Sequence, residues 1–175
     1  MEIAIIFSEG RTENRATHKI ALELADRLLG FGEEPRMFDL ADAPIHLQDP
    51  RQWSGKAVFL VGESTDAIYP LSFHYLLSEG PEQWKDVPVV TIMCSDSIET
   101  ASKANHQLQN VLKVLDARVL ESELSLNDVH NKFDHTLSLL DLDLQRTLDN
   151  VIQKMLFQAY NSGSDQKIGK AFLTI

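Results

Sequence analysis

The chain has little cysteine, little positive charge and no long apolar run, and each shortage excludes something. Cys94 is the single cysteine; an intramolecular disulfide is excluded, and a reducing cytoplasm is the expected setting. The longest apolar stretches, "KAVFLVG" and "VPVVTIMC", fall far below the roughly 18 residues of a membrane span. "MEIAIIF" has neither a basic n-region nor a small-residue cleavage site, so no secretory leader is expected. Sixteen Lys and Arg stand against 26 Asp and Glu, a formal net charge of −10. That balance argues against nucleic acid and against an anionic membrane as partners, because both need a basic face. Glycine is sparse as well. The first loop holds only Gly10, so neither the dinucleotide fingerprint nor the P-loop is present.

What is there belongs to an α/β protein. With 175 residues and 43% hydrophobic content, the chain is sized for one domain with a full core. Four runs, 2–7, 35–40, 56–62 and 87–94, have the nearly continuous apolar character of strands buried on both faces. A weaker fifth, "ARVLES", covers 117–122. Helical patterns lie between them: Ile20 to Leu29 before Gly30 and Gly32, a segment from Pro70 to Gly80, another over 98–116, and a last over 140–160. This alternation predicts right-handed crossovers and a parallel sheet covered on both faces. Five strands suit the doubly wound, flavodoxin-like order 2-1-3-4-5. One domain over 1–160 is expected, followed by a flexible tail over 161–175.

In such a sheet ligands bind beyond the carboxyl ends of the strands, where the strand order reverses. The loop after the first strand, "FSEGRTENRAT", offers hydroxyls at Ser8, Thr12 and Thr17, an amide at Asn14 and guanidinium groups at Arg11 and Arg15. It leads into a helix whose amides and dipole favour an anion. The same residue types also build ordinary turns and N-caps, so a phosphate cradle and a capped turn both fit.

The chain resembles the NAD(P)H-dependent FMN reductase family, the flavodoxin-like group that includes quinone, chromate and azo-dye reductases. The family's first loop reads Gly-Ser-x-Arg and then Ser-x-Asn; here Ser8, Arg11 and Thr12-x-Asn14 follow that pattern, with Phe7 in place of the glycine. "FDLADAPIHLQDP", "WKDVPVVTIMCSDS" and "LQNVLKVLDARVLESEL" resemble later family segments, so the likeness extends over roughly 1–160. It implies that Ser8, Arg11, Thr12 and Asn14 hold the FMN phosphate and that Gly62, Glu63, Ser64 and Thr65 lie along the flavin ring. It further implies NADH or NADPH as co-substrate, a small acceptor (quinone, flavin, azo compound or metal oxyanion) and a homodimer or homotetramer. Three family features are replaced. Phe73-His74-Tyr75-Leu76-Leu77-Ser78 stands where Leu-Lys-Asn-x-x-Asp is usual. Gly62-Glu63-Ser64-Thr65 stands where Pro-x-Tyr-Asn is usual, and Ser97-Ile98-Glu99-Thr100 where a Gly-Gly pair is usual. The alternative reading is therefore a non-catalytic flavodoxin-like binding or regulatory module that has lost FMN.

Other residues invite readings of their own. Cys94, at the end of the fourth strand, reads as a small buried hydrophobe rather than a redox thiol. His74 and Tyr75 could stack on a flavin or pack the helix. "HNKFDH" gathers His130, Asp134 and His135 without an evident fourth metal ligand. Trp53 and Trp84 read as cover for a sheet edge or an interface, and Asp141, Asp143 and Asp149 as the exposed side of the last helix.

Overall fold

Residues 2–8 enter the protein as a strand with no polar face: Ile3, Ala4, Ile5, Ile6 and Phe7 are all buried. A computed structural model describes residues 1–8, 15–40, 57–122 and 124–162. Its sheet runs β2-β1-β3-β4-β5, all parallel, from β1 (Glu2–Ser8), β2 (Glu34–Asp39), β3 (Val58–Glu63), β4 (Pro88–Ser95) and β5 (Arg118–Val119). This is the doubly wound order that the alternation of runs predicts.

The continuous apolar runs follow from two covered faces. Ile3, Ile5, Phe7, Phe59, Val61, Val90 and Ile92 pack in one cluster with α1 (Ala16–Gly30) and α4 (Leu142–Ser162). Their alternates Ala4, Ile6, Val58, Leu60, Val89 and Met93 pack in a second with α2 (Leu71–Ser78) and α3 (Ile98–Val114). Successive strand residues point to opposite faces, so a strand buried on both must be apolar throughout.

Helix ends obey local chemistry. α1 stops where Gly32 takes φ +80°, its amide bonding Leu29 while the Glu33 amide bonds Leu28. That pairing satisfies the last carbonyls in the way that favours glycine there. α3 begins at Ser97, whose Oγ accepts the Thr100 amide at 3.1 Å. α4 is capped by Asp141, which accepts the Leu144 amide at 2.9 Å and pairs with Lys132 at 2.6 Å. Lys132 first, and that amide second, hold the Asp141 carboxyl below its ordinary range. Asp149 stays partly exposed, as expected of that side of the helix, but is not without a partner: Arg27 of α1 reaches it at 2.5 Å and bonds Glu23 at 2.6 Å. Arg27→Ala should cost about 1–2 kcal/mol, because it removes two partly buried charge-assisted bonds, one of which ties α1 to α4. Urea titration of the variant checks this.

The fifth strand differs from the sequence expectation. It starts at Arg118 against Pro88, breaks, and resumes as β6 (Ser125–Asn127) against Met93 to Ser95 on the same edge of β4. Five residue steps along β4 face seven along its neighbour, so the register counts a bulge of two extra residues in the neighbour. The Leu120 amide to Val89 and the Met93 amide to Leu124 carry the ladder to each side of the bulge. Trp84, expected to cover a sheet edge or an interface, is fully buried at the end of a 3-10 turn (Pro81–Trp84) and packs with the α2/α3 cluster. Among the described residues no helix is long and apolar enough to cross a membrane.

Candidate functional site

Strand order reverses between β1 and β3, and the carboxyl ends of β1, β3, β4 and β6 meet beside that point. Register brings the loop residues together. Ser8 lies opposite Gly62, Glu63 opposite Cys94, and Ser95 opposite Asn127. Two open cavities of about 380 Å³ and about 420 Å³ result, sharing Glu63, Ser95 and Asp96 as a common wall. The first also reaches Ala16, Cys94 and Asn127 to His130. The second reaches Ser64, Thr65, Asp66, Ser97 and Thr100.

Each expected site residue within the described chain has a distinct place. Ser8 is buried, and its hydroxyl lies 2.6 Å from that of Ser72 in the first turn of α2. Gly62 lies beneath the start of α2; a β-carbon there would stand 2.8 Å from the Phe73 ring and 3.0 Å from Pro70. Glu63 and Ser64 line the cleft. The Ser64 amide donates to the Cys94 carbonyl at 2.7 Å and its carbonyl accepts Ser95 Oγ at 3.3 Å, while its own Oγ is buried with no partner. Thr65 opens a tight turn closed by the Ile68 amide, with Asp66 and Ala67 at φ +54° and +62°. Such angles strain residues other than glycine by about 1 kcal/mol each. Arg11, Thr12 and Asn14 lie outside the described residues.

At the other side of the cleft α1 begins without a side-chain cap. Arg15 precedes it at φ +46°, its first turn carries no acidic side chain, and Thr17 Oγ1 is buried with no partner. Among the described residues the first turn of the helix thus carries no acidic side chain and no side-chain cap, next to Ala16, which lines the first cavity.

The remaining walls are acidic. Glu63, Asp66, Asp96 and Asp128 line the two cavities, and among the described lining residues there is no lysine or arginine. His130 stands 3.5 Å from Asp128. Asp134, from the "HNKFDH" segment, bonds Thr136 and Ser138 instead; it serves its own turn. His74 and Tyr75 pack edge-on to each other on the exposed side of α2 and line neither cavity.

Cys94 sits against the first cavity at 1% exposure. Burial first, and the nearby Glu63 charge second, push its thiol from 9.0 up to about 12. A thiol held so firmly protonated is a poor nucleophile. Folded protein at pH 8 should react with iodoacetamide about a thousandfold more slowly than an ordinary thiol, and at the normal rate once unfolded. The linked effect on stability has one sign. Below pH 9 both states keep the proton; from pH 9 towards 12 only the unfolded chain releases it, so stability falls as pH rises through that window.

Sequence reasoning does not single out Asp96, Asn127, Asp128 or His130 for this cleft. Asp128 and His130 enter it only through the pairing of β6 with β4.

No family model and no curated protein matches the chain. Solved structures do. It is similar to FerB, a flavoenzyme NAD(P)H:(acceptor) oxidoreductase from Paracoccus denitrificans, at 15% identity and TM-score 0.70 over 92% of this chain and 98% of that one. An oxidoreductase from Corynebacterium diphtheriae aligns at 10% identity and TM-score 0.71 over 92% and 98% of the two chains. Oxidised flavodoxin 1 from Bacillus cereus aligns at 17% identity and TM-score 0.60 over 94% and 100%. At these identities the likeness establishes the flavodoxin-like fold.

Proposed function

We propose that the chain is a flavoprotein oxidoreductase that holds FMN at the carboxyl edge of its sheet and passes electrons from NADH or NADPH to a small acceptor. The observation that carries this reading is the start of α1. A helix end with no acidic side chain and a buried, partnerless Thr17 hydroxyl fits a phosphate, whose oxygens would relieve both. Ser8, Arg11, Thr12 and Asn14 would join Thr17 around that group, and Gly62 to Thr65 would border the ring. Bound there, the flavin would supply the two-electron chemistry that no side chain of this protein provides. The chain's own part is positional. Glu63 and Asp96 line the cleft, and Cys94 stays protonated and inert beside them.

The acidic wall favours a second reading, a module that keeps the fold without the cofactor. Anaerobic mixing of FMN-supplemented protein with NADH, and separately with NADPH, separates the two. Bleaching of the protein-bound flavin's visible absorbance by at least one donor is expected. Protein that takes up no FMN, or bound flavin that stays oxidised with both donors, would leave a binding module and no enzyme.

A further inference from the structure

We propose that Asn105 of α3 is a positioning residue: it selects the bulged pairing of β6 with β4, and through that pairing it places Asn127, Asp128 and His130 in the wall of the first cavity. Two pairings compete on this edge. Counted onward from Val119 opposite Val89, an unbroken ladder would set Leu124 opposite Cys94 and Ser125 opposite Ser95. The structure instead sets Leu126 opposite Cys94 and Asn127 opposite Ser95. The two pairings differ by two residues, so side chains keep their faces, and a leucine fills the place opposite Cys94 in either case. Hydrophobic patterning therefore separates them only weakly. For the cleft the difference is large. In the unbroken ladder Asp128 and His130 would be carried two residues further on, about 7 Å from their places in the cavity wall.

Asn105 distinguishes the two. It is 2% exposed, and its Nδ2 donates to the Ser125 hydroxyl at 3.3 Å and to the Leu124 carbonyl at 3.5 Å. The unbroken ladder would carry both acceptors two residues away from it. These long bonds add little stability, because neither acceptor needs them. The Leu124 carbonyl also accepts the Met93 amide at 3.0 Å, and Ser125 is only half-buried, within reach of water. Oδ1 of Asn105 is buried with no hydrogen-bond partner among the described residues, which costs stability. Asparagine is also a weak helix former, and here it sits mid-helix. A buried polar group that costs stability while telling two registers apart is kept for specificity. Any effect on FMN rests on the flavoprotein reading; the placement of the wall does not.

The test compares Asn105→Leu and Ser125→Ala with the parent by melting curves, amide hydrogen exchange, the NMR signal of the His130 ring and FMN titration. Leucine keeps the branching of asparagine and removes the unpaired oxygen, so Tm should hold within a few degrees. Protection of the β6 amides should nevertheless fall about tenfold while that of β1 and β3 holds, and the His130 signal should shift or split. Ser125→Ala leaves α3 and its packing intact. It should give the same changes more weakly, and it decides the matter if the leucine variant does not fold. Unchanged β6 protection and an unchanged His130 signal in both variants would overturn the proposal. So would protection lost equally from β1, β3 and β6, the mark of an ordinary core residue. FMN should bind Asn105→Leu a few-fold more weakly than the parent. Failure of FMN to bind the parent, with β6 and His130 responding as expected, removes the flavoprotein reading and leaves the positioning role standing. FMN bound by the parent with β6 and His130 unmoved in both variants does the reverse.

Discussion

Gly62→Ala should destabilise the protein by about 2 kcal/mol and lower its Tm by several degrees. The reason lies behind the cleft rather than in it. The added β-carbon would meet the Phe73 ring at 2.8 Å and Pro70 at 3.0 Å, and neither can rotate away: proline is a closed ring, and Phe73 is fully buried in the α2/α3 cluster. Relief requires α2 to move away from β3, and Ser72, hydrogen bonded to Ser8, would move with it. The double variant with Phe73→Leu should recover part of the loss, since the smaller side chain yields the space. Urea titration of the parent, the single and the double variant checks both statements. Unchanged stability with weakened flavin binding would show instead that Gly62 faces the ligand.

Thr17→Val is expected to move stability and affinity in opposite directions. The Thr17 hydroxyl is fully buried and partnerless, so an isosteric methyl in its place removes a desolvation penalty. The ligand-free protein should gain about 1 kcal/mol, less the small helix cost of valine. If the hydroxyl is held for a phosphate, the same change deletes a hydrogen bond to a charged group. FMN should then bind roughly tenfold to a hundredfold more weakly. Melting curves and FMN titration on one protein sample read the two effects. A gain in stability with no change in affinity would remove Thr17 from the phosphate site.

The parts of the fold written plainly in the sequence are those where one physical demand dominates. Strands covered on both faces must be apolar at every position, and three of the four long runs show it: β1, β3 and β4 are buried at nearly every residue. The end of α1 is equally plain, because the left-handed residue that closes it is glycine. The fifth strand is not. "ARVLES" carries its apolar signal only as far as the bulge, and the alternation of Leu124-Ser125-Leu126-Asn127 beyond it is too short to mark a strand by itself, so its pairing with β4 is decided by tertiary geometry. The site suffers from the same gap. Ser8 and Glu63 to Thr65 can be placed from strand ends alone, whereas Asp128 and His130 reach the cleft through that unsignalled pairing. Asp141 and Asp149 look like solvated helix residues because a cap and a cross-helix partner, Arg27, both depend on tertiary geometry. Trp84 looks like edge cover for the same reason: its burial is decided by the turn that folds it into the α2/α3 cluster.

The central claim is that the carboxyl edge of this sheet holds FMN by its phosphate at the start of α1. Titrating FMN with the purified 175-residue chain and following flavin fluorescence tests it most directly, with riboflavin, which lacks the phosphate, in parallel. Saturable quenching with micromolar or tighter affinity is expected for FMN, with binding at least about tenfold weaker for riboflavin and for the Arg11→Ala variant. Flavin fluorescence that stays unchanged up to high protein concentration, or equal binding of FMN and riboflavin, would contradict it.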